Sequence, residues 1–158
     1  MSKVALITGA STGIGKELAR IHASRGGDLV IIARSEDKLN DLAKELNQKH
    51  GTEVVVLTKD LSKVESSREI YDEVKAKGIE VEYLLNNAGF GGQGYFHERP
   101  WEKDMAMMNV NMMALTALTR YFLPDFVERN HGRILNTSST ASYLPGPLQA
   151  VYYATKAY

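Results

Sequence analysis

The sequence predicts a three-layer α/β domain built on a doubly wound parallel sheet. Three observations lead there. Apolar runs of strand length alternate with segments of helical period. The strand runs are apolar at nearly every position, which suits strands covered on both faces. No linker, internal repeat or low-complexity stretch divides the 158 residues, so they make one domain with a real core, too short for two ordinary ones.

The elements follow in order. Val4-Ala5-Leu6-Ile7 is a short buried strand that breaks at Gly9. Ile14, Leu18, Ile21 and His22 then recur at helical spacing until Gly26-Gly27 stops the helix. Leu29 to Ala33 is the second strand. Ser35 reads as the N-cap of a helix whose buried stripe is Leu39, Leu42, Ala43 and Leu46. Glu53 to Leu57 is the third strand, and Ser62 caps an amphipathic stretch that runs through Val74. Val81 to Leu85 is the fourth strand, followed by a glycine-rich loop from Gly89 to Gly94. Trp101 opens a long helix with Met105, Met108, Met112, Leu115 and Leu118 on one side and Pro124 as a place to bend. Ile134 and Leu135 mark a fifth strand.

Composition excludes several functions. Lys and Arg number 19, as do Asp and Glu, so there is no general field for a polyanion and no nucleic-acid surface is expected. There is no cysteine, which removes disulfides, thiolate catalysis and zinc–sulfur sites. His22, His50, His97 and His131 are scattered without ligand spacing, so no metal site is expected. The apolar run in the opening MSKVALITGA is too short for a signal h-region or a membrane span. The expectation is a soluble, cytoplasmic protein with no membrane partner.

Thr8-Gly9-Ala10-Ser11-Thr12-Gly13-Ile14-Gly15 lies between the first strand and the first helix. A strand that turns sharply into a helix presents free N–H groups and the positive end of the macrodipole, a ready site for a pyrophosphate. Glycine serves where the backbone turns tightly or must approach a ligand without a Cβ.

The spacing T-G-x-x-x-G-I-G resembles that of the short-chain dehydrogenase/reductase family at every fixed position. Other motifs of that family appear in order: Asp60-Leu61 after the third strand, Asn86-Asn87-Ala88-Gly89 after the fourth, Asn111 in the long helix, Ser139 after the fifth strand, and Tyr152 with Lys156 as Y-x-x-x-K. The resemblance covers the whole chain. It implies a Rossmann-type sheet of strand order 3-2-1-4-5, with a nicotinamide cofactor across the carboxyl ends of the strands. Gly9, Ser11, Thr12, Gly13, Ile14 and Gly15 would then cradle phosphate, and Asp60, Leu61, Asn87, Ala88 and Gly89 would line the rest of the cleft.

At the end of the second strand an acidic residue signals NAD, and a basic one nearby accommodates the 2′-phosphate of NADP. Here Ala33 stands where the family's NAD enzymes carry Asp, and Arg34 follows. Arg34 can make charge-assisted bonds to that phosphate or stack on adenine, and Ser11 can donate to the same group. NADP is therefore expected over NAD.

Tyr152 and Lys156 are four apart, hence on one face of a helix. A free tyrosine titrates at about 10, and a nearby ammonium favours its phenolate. The resemblance makes Tyr152 the general acid/base and gives Lys156 the nicotinamide ribose as a second task. Ser139 would bond the substrate oxygen, and Asn111 would help hold a water that links Lys156 to solvent. Tyr153, Ser138 and Asn109 are the neighbours from which these residues are chosen by spacing and context. The expected activity is hydride transfer between NADP(H) and a small carbonyl or alcohol.

The chain stops at Tyr158, two residues after Lys156, whereas family members continue through further strands and a substrate-covering segment. Residues 1–158 therefore read as a C-terminally incomplete Rossmann domain of a longer protein. Apolar exposure is expected around Ile134, Leu135 and Tyr152–Tyr158. An epimerase or dehydratase is the competing enzyme, but that branch uses a different glycine spacing. A nonreactive NADP-binding sensor of the same fold and an inactive fragment are the alternatives from other classes. A homodimer or homotetramer is expected, the long helix packing against a partner subunit.

Overall fold

Successive side chains of a strand point to opposite faces, and this alternation divides the core in two. In a computed structural model, which describes residues 3–158, Ala5, Ile7, Leu29 and Ile31 are buried on one face, together with Leu39, Leu42 and Leu46. Leu6, Val30, Ile32 and Leu84 are buried on the other, with Ile70, Val74, Leu118, Phe122 and Phe126. The first two residues of the predicted domain lie outside the described part.

The strands are β1 (Val4–Thr8), β2 (Asp28–Ala33), β3 (Val54–Thr58), β4 (Val81–Asn86) and β5 (Arg133–Asn136). They form one parallel sheet in the predicted order, β3-β2-β1-β4-β5. Helices α1 (Gly13–Ser24) and α2 (Glu36–His50) cover the first face. Helices α3 (Ser66–Ala76) and α5 (Leu115–Glu128) cover the second. Helix α4 (Trp101–Met108) runs into α5 through a π-helical segment, Asn109–Ala114, and α6 (Ala150–Ala157) carries Tyr152 and Lys156. Among the described residues no helix is long and apolar enough to cross a membrane.

The topology puts β2 on one side of β1 and β4 on the other. The chain leaves the carboxyl ends of β1 and β4 in opposite directions, and a crevice opens between them.

The elements depart from the sequence reading in four places. On α1 the buried residues are Gly15, Ala19 and Ala23, whereas Ile14 and Ile21 are exposed. The helix starts so close to the sheet that only small side chains fit between them; Leu18 packs at the flank of the core. Ser35 occupies the N-cap of α2 but makes no side-chain cap bond, and Glu36 and Asp37 supply the charge its N-terminus favours. Ser62 caps no helix. Its hydroxyl and N–H donate to Asp60 Oδ1 at 2.8 and 3.0 Å, closing a turn, and α3 begins later, at Ser66.

The fourth departure is the long helix. Its buried positions are Asp104, Met107, Asn111, Ala114, Leu118, Phe122 and Phe126. Met105, Met108, Met112 and Leu115 are half-buried beside them. An apolar pattern misses this face because two of its members are polar, each paid in hydrogen bonds: Asp104 from Arg99, and Asn111 with Phe90 and Thr155. The helix continues through Pro124.

Around β5 the expected exposure is partial. Leu135 and Tyr158 are exposed, but Ile134 packs against the core, Tyr152 and Tyr153 are half-buried, and Thr155 is buried.

Candidate active site

The turn after β1 is built by close approach. Gly9 adopts φ +69°, and a Cβ there would lie 2.9 Å from Ala88 Cα. Gly15 sits against Gly9 and Asn87, where a Cβ would reach 2.6 Å from the Asn87 amide nitrogen. Thr8 ties the turn to β4: its Oγ1 accepts from the N–H groups of Asn87 and Ala88 at 3.0 and 2.9 Å. The Asn87 amide returns a bond to the Thr8 carbonyl at 3.0 Å. No side chain caps the start of α1, and its first turn holds no acidic residue. Its N–H groups and its end of the macrodipole are thus left for an anion.

A cleft of about 590 Å³ runs along the carboxyl ends of the strands, within the range of cofactor sites. Gly9, Ser11, Thr12 and Ile14 form its wall at α1, Arg34, Asp60 and Leu61 its β2–β3 end, and Asn87, Ala88 and Gly89 its middle. Ser139, Tyr152 and Lys156 close the far end. Gly13, Gly15 and Asn111 do not line it. Gly13 has φ +55° with open space around it, and Gly15 acts through packing. Asn111 lies behind the cleft, buried: its amide donates to the Phe90 carbonyl at 3.0 Å and to Thr155 Oγ1 at 2.9 Å, and its Oδ1 accepts from Phe90 N–H at 3.1 Å. Its side chain therefore pins the loop after β4 to α6.

At the β2–β3 end, burial works against the charge of Asp60. The two bonds from Ser62 and the nearby charges of Arg34 and Lys63 outweigh it, and its carboxyl titrates below the ordinary range.

At the far end the Tyr152 hydroxyl points to Ser139 Oγ at 3.5 Å, the outer limit of a hydrogen bond. Ser139 starts a short 3₁₀ turn, Thr140–Ser142, and its Oγ also accepts from Ala141 N–H at 3.1 Å. Lys156 donates to the Thr137 carbonyl at 3.1 Å. The neighbours weighed in the sequence are engaged elsewhere. Ser138 bonds Ser142 at 2.8 Å, the Tyr153 hydroxyl packs against Gly146, and Asn109 donates to the Ser62 carbonyl at 2.8 Å. Thr8 opens the T-G-x-x-x-G-I-G motif, but the spacing assigns no task to it, and Thr137 belongs to none of the motifs.

The profile of the short chain dehydrogenase family matches residues 3–158. The chain belongs to that family. A very-long-chain 3-oxoacyl-CoA reductase from Anas platyrhynchos is 39% identical over 160 residues, which are 98% of this chain and 50% of that protein. The human protein of the same name is 36% identical over the same shares. This short-chain dehydrogenase chain thus spans about half the length of the curated relatives it matches. Among solved structures, an alcohol dehydrogenase from Thermococcus sibiricus complexed with 5-hydroxy-NADP superposes with a TM-score of 0.91 at 36% identity, over 99% of this chain and 66% of that one. A short-chain dehydrogenase from Sphingobium yanoikuyae in complex with NADPH gives 0.92 at 34%, over 98% and 60%.

Proposed function

We propose that this short-chain dehydrogenase is an NADP-dependent oxidoreductase acting on a carbonyl/alcohol pair, with Tyr152 as the proton donor. The observation that carries the reading is the meeting of the Tyr152 and Ser139 hydroxyls at one end of a cleft whose other end offers Arg34 and no acidic residue at position 33. The cofactor fits what is present. The uncapped start of α1 and the Cβ-free approach at Gly9 suit a pyrophosphate, with Ser11, Thr12 and Ile14 around it. Arg34 and Ser11 would take the 2′-phosphate, with Asp60 and Leu61 near adenine and Asn87, Ala88 and Gly89 along the cleft. NADP(H), when bound, exchanges a hydride with the substrate carbon.

The side chains of this chain supply the rest. In reduction the substrate oxygen sits between Tyr152 and Ser139, Ser139 donates to it, and Tyr152 gives it a proton as negative charge builds there. Lys156, which the Thr137 carbonyl holds at the edge of the cleft, brings a positive charge to the same end as Tyr152. Lys156 would also hold the nicotinamide ribose. Asn111 acts behind this group by fixing the loop at Phe90.

The names of the curated relatives make 3-oxoacyl thioesters the first substrates to try, beside aldehydes and ketones. The test is NADPH oxidation over that panel with NADPH titration by fluorescence. Tyr152→Phe should abolish turnover and spare NADPH binding, while Lys156→Ala should damage both. Near-normal reduction by Tyr152→Phe would move the chemistry elsewhere. NADPH binding without turnover on any of the panel would favour a sensor. The proposal includes a homodimer or homotetramer, to which Met113, Leu123 and Val127 offer exposed apolar surface on the long helix; light scattering decides it. It also places the protein in the cytoplasm, which cell fractionation tests.

A further inference from the structure

Asp104 is 4% exposed on the first turn of α4, a costly place for a charge without a partner. Arg99 is that partner, with Nε 2.8 Å and Nη2 2.6 Å from the same Oδ1. The other guanidinium nitrogen, Nη1, donates to the Gln93 carbonyl at 2.9 Å. The guanidinium also lies against Gly92, where any Cβ would strike it, and the Arg99 stem passes Gly94. The glycine-rich loop after β4 is therefore backed by a buried ion pair.

The front of the same loop meets Tyr152. A Cβ on Gly91 would stand 3.4 Å from Cδ2 of the Tyr152 ring and 3.5 Å from Cε2 and Cγ. Beyond it, Gly94 N–H donates to the Leu148 carbonyl at 2.9 Å, two residues before α6 begins. Leu148 holds φ +62°, a conformation that a leucine keeps only where its surroundings impose it. Neither Arg99 nor Asp104 lines the large cleft. Arg99 instead borders a separate hollow of about 220 Å³ with Tyr95, Phe96 and Leu148.

We infer that Arg99 and Asp104 are positioning residues for Tyr152: the pair sets the Gly91–Gly94 loop against the tyrosine ring and thereby fixes where its hydroxyl points. This rests on the reading of Tyr152 as the proton donor. The ion pair holds the loop backbone at Gln93, and neither of its residues lines the cofactor cleft. Its loss should therefore appear in turnover and not in cofactor affinity.

The experiment compares Asp104→Asn, Arg99→Lys, the apolar double variant Arg99→Met/Asp104→Leu, and Tyr152→Phe. Each is followed by thermal unfolding, NADPH fluorescence titration, kcat and KM for a 3-oxoacyl ester, and the pH profile of kcat. The double variant keeps the test alive if either single change unfolds the protein, because it leaves no unpaired buried charge. Misplacing a reacting group by about 1 Å costs up to ~10²-fold in rate. The expected result is a folded double variant with unchanged NADPH affinity, kcat lowered by roughly tenfold to a hundredfold, and a displaced pH profile. Arg99→Lys, which keeps the charge and loses the fork to Gln93, should fall between it and the unmodified protein. A folded double variant with unaltered kcat and pH profile would overturn the inference while leaving Tyr152 in place. Equal losses of NADPH affinity and kcat would overturn it too, since the effect would then run through the cofactor. Full turnover in Tyr152→Phe would remove the reading on which it rests.

Discussion

Residues at the cleft act in two ways: Tyr152 and Lys156 through the chemistry of their side chains, and Gly9 by leaving room for the close approach of Ala88. Tyr152 and Lys156 could be paired because four residues make one helical turn, and Gly9 because a tight turn excludes a Cβ. Asn111 was found by context, yet its side-chain partners, Phe90 and Thr155, are set by tertiary packing that no local pattern encodes. Arg99 and Asp104 look like ordinary surface charges in the sequence, since only burial distinguishes a clamp from a solvated pair. The clearest residue-scale prediction concerns cofactor choice. Arg34 is exposed at the end of β2 beside Ala33, which brings no negative charge. Replacing Ala33 by Asp together with Arg34 by Ile exchanges a partner for phosphate against an acceptor for a ribose hydroxyl. The ratio of NADPH to NADH affinities should invert, and titration with both cofactors checks it. Equal affinities in the unmodified protein would dissociate Arg34 from the 2′-phosphate.

Among the elements, strands were easier to find than the faces of helices. A parallel strand buried on both sides announces itself as a continuous apolar run, as Leu29–Ala33 does. A helix must also be assigned a side, and on α1 the recurring apolar residues do not mark it, because its buried face is made of glycine and alanine. The outer side of α1 is held to α2 electrostatically: Arg20 donates through Nε at 3.0 Å and Nη2 at 2.7 Å to the two carboxylate oxygens of Glu45. Those bonds, aided by Lys49, hold the Glu45 carboxyl at about 2, against an ordinary 4.5. A carboxyl depressed in this way adds stability above its unfolded pKa, and that contribution fades as pH falls from about 4.5 through about 2. Glu45→Gln should therefore lower the melting temperature near neutrality, and the gap to the unmodified protein should narrow steadily in acid. Because Arg20 is partly exposed, added salt should shrink the gap as well. A gap that is constant from pH 7 to pH 2 would show that Glu45 acts by packing alone.

For the molecule as a whole, the order of the strands followed from the family motifs, and the uneven burial across the sheet did not. β1 and β2 are covered on both faces almost throughout, whereas β5 at the edge has only Ile134 packed on the core and Leu135 exposed. An apolar run in the sequence looks the same in either place; position within the sheet decides how much of it is covered. Local opening is governed by such differences. Amide exchange followed by mass spectrometry should leave β1 and β2 protected longest and release β5 early, with the loop from Ser139 to Leu148 earlier still. Uniform protection across all five strands would mean that the sheet opens only as a unit.

The π-helical segment Asn109–Ala114 bears on how freely this gene product tolerates changes of length. A π turn holds about one residue more than an α turn, and each residue in a helix carries about 100° of rotation and 1.5 Å of rise. Deleting one residue there would leave a regular helix of better local geometry but would swing everything upstream out of phase with everything downstream. Phe122 and Phe126 would stay on the core only if Asp104 left Arg99, and Asn111 could not face both Phe90 and Thr155. Substitutions on the exposed side of this helix should thus be absorbed easily, while a single-codon deletion within it should not. The irregular turn acts as a frame marker, keeping the half of the helix that builds the core in phase with the half that serves the cleft.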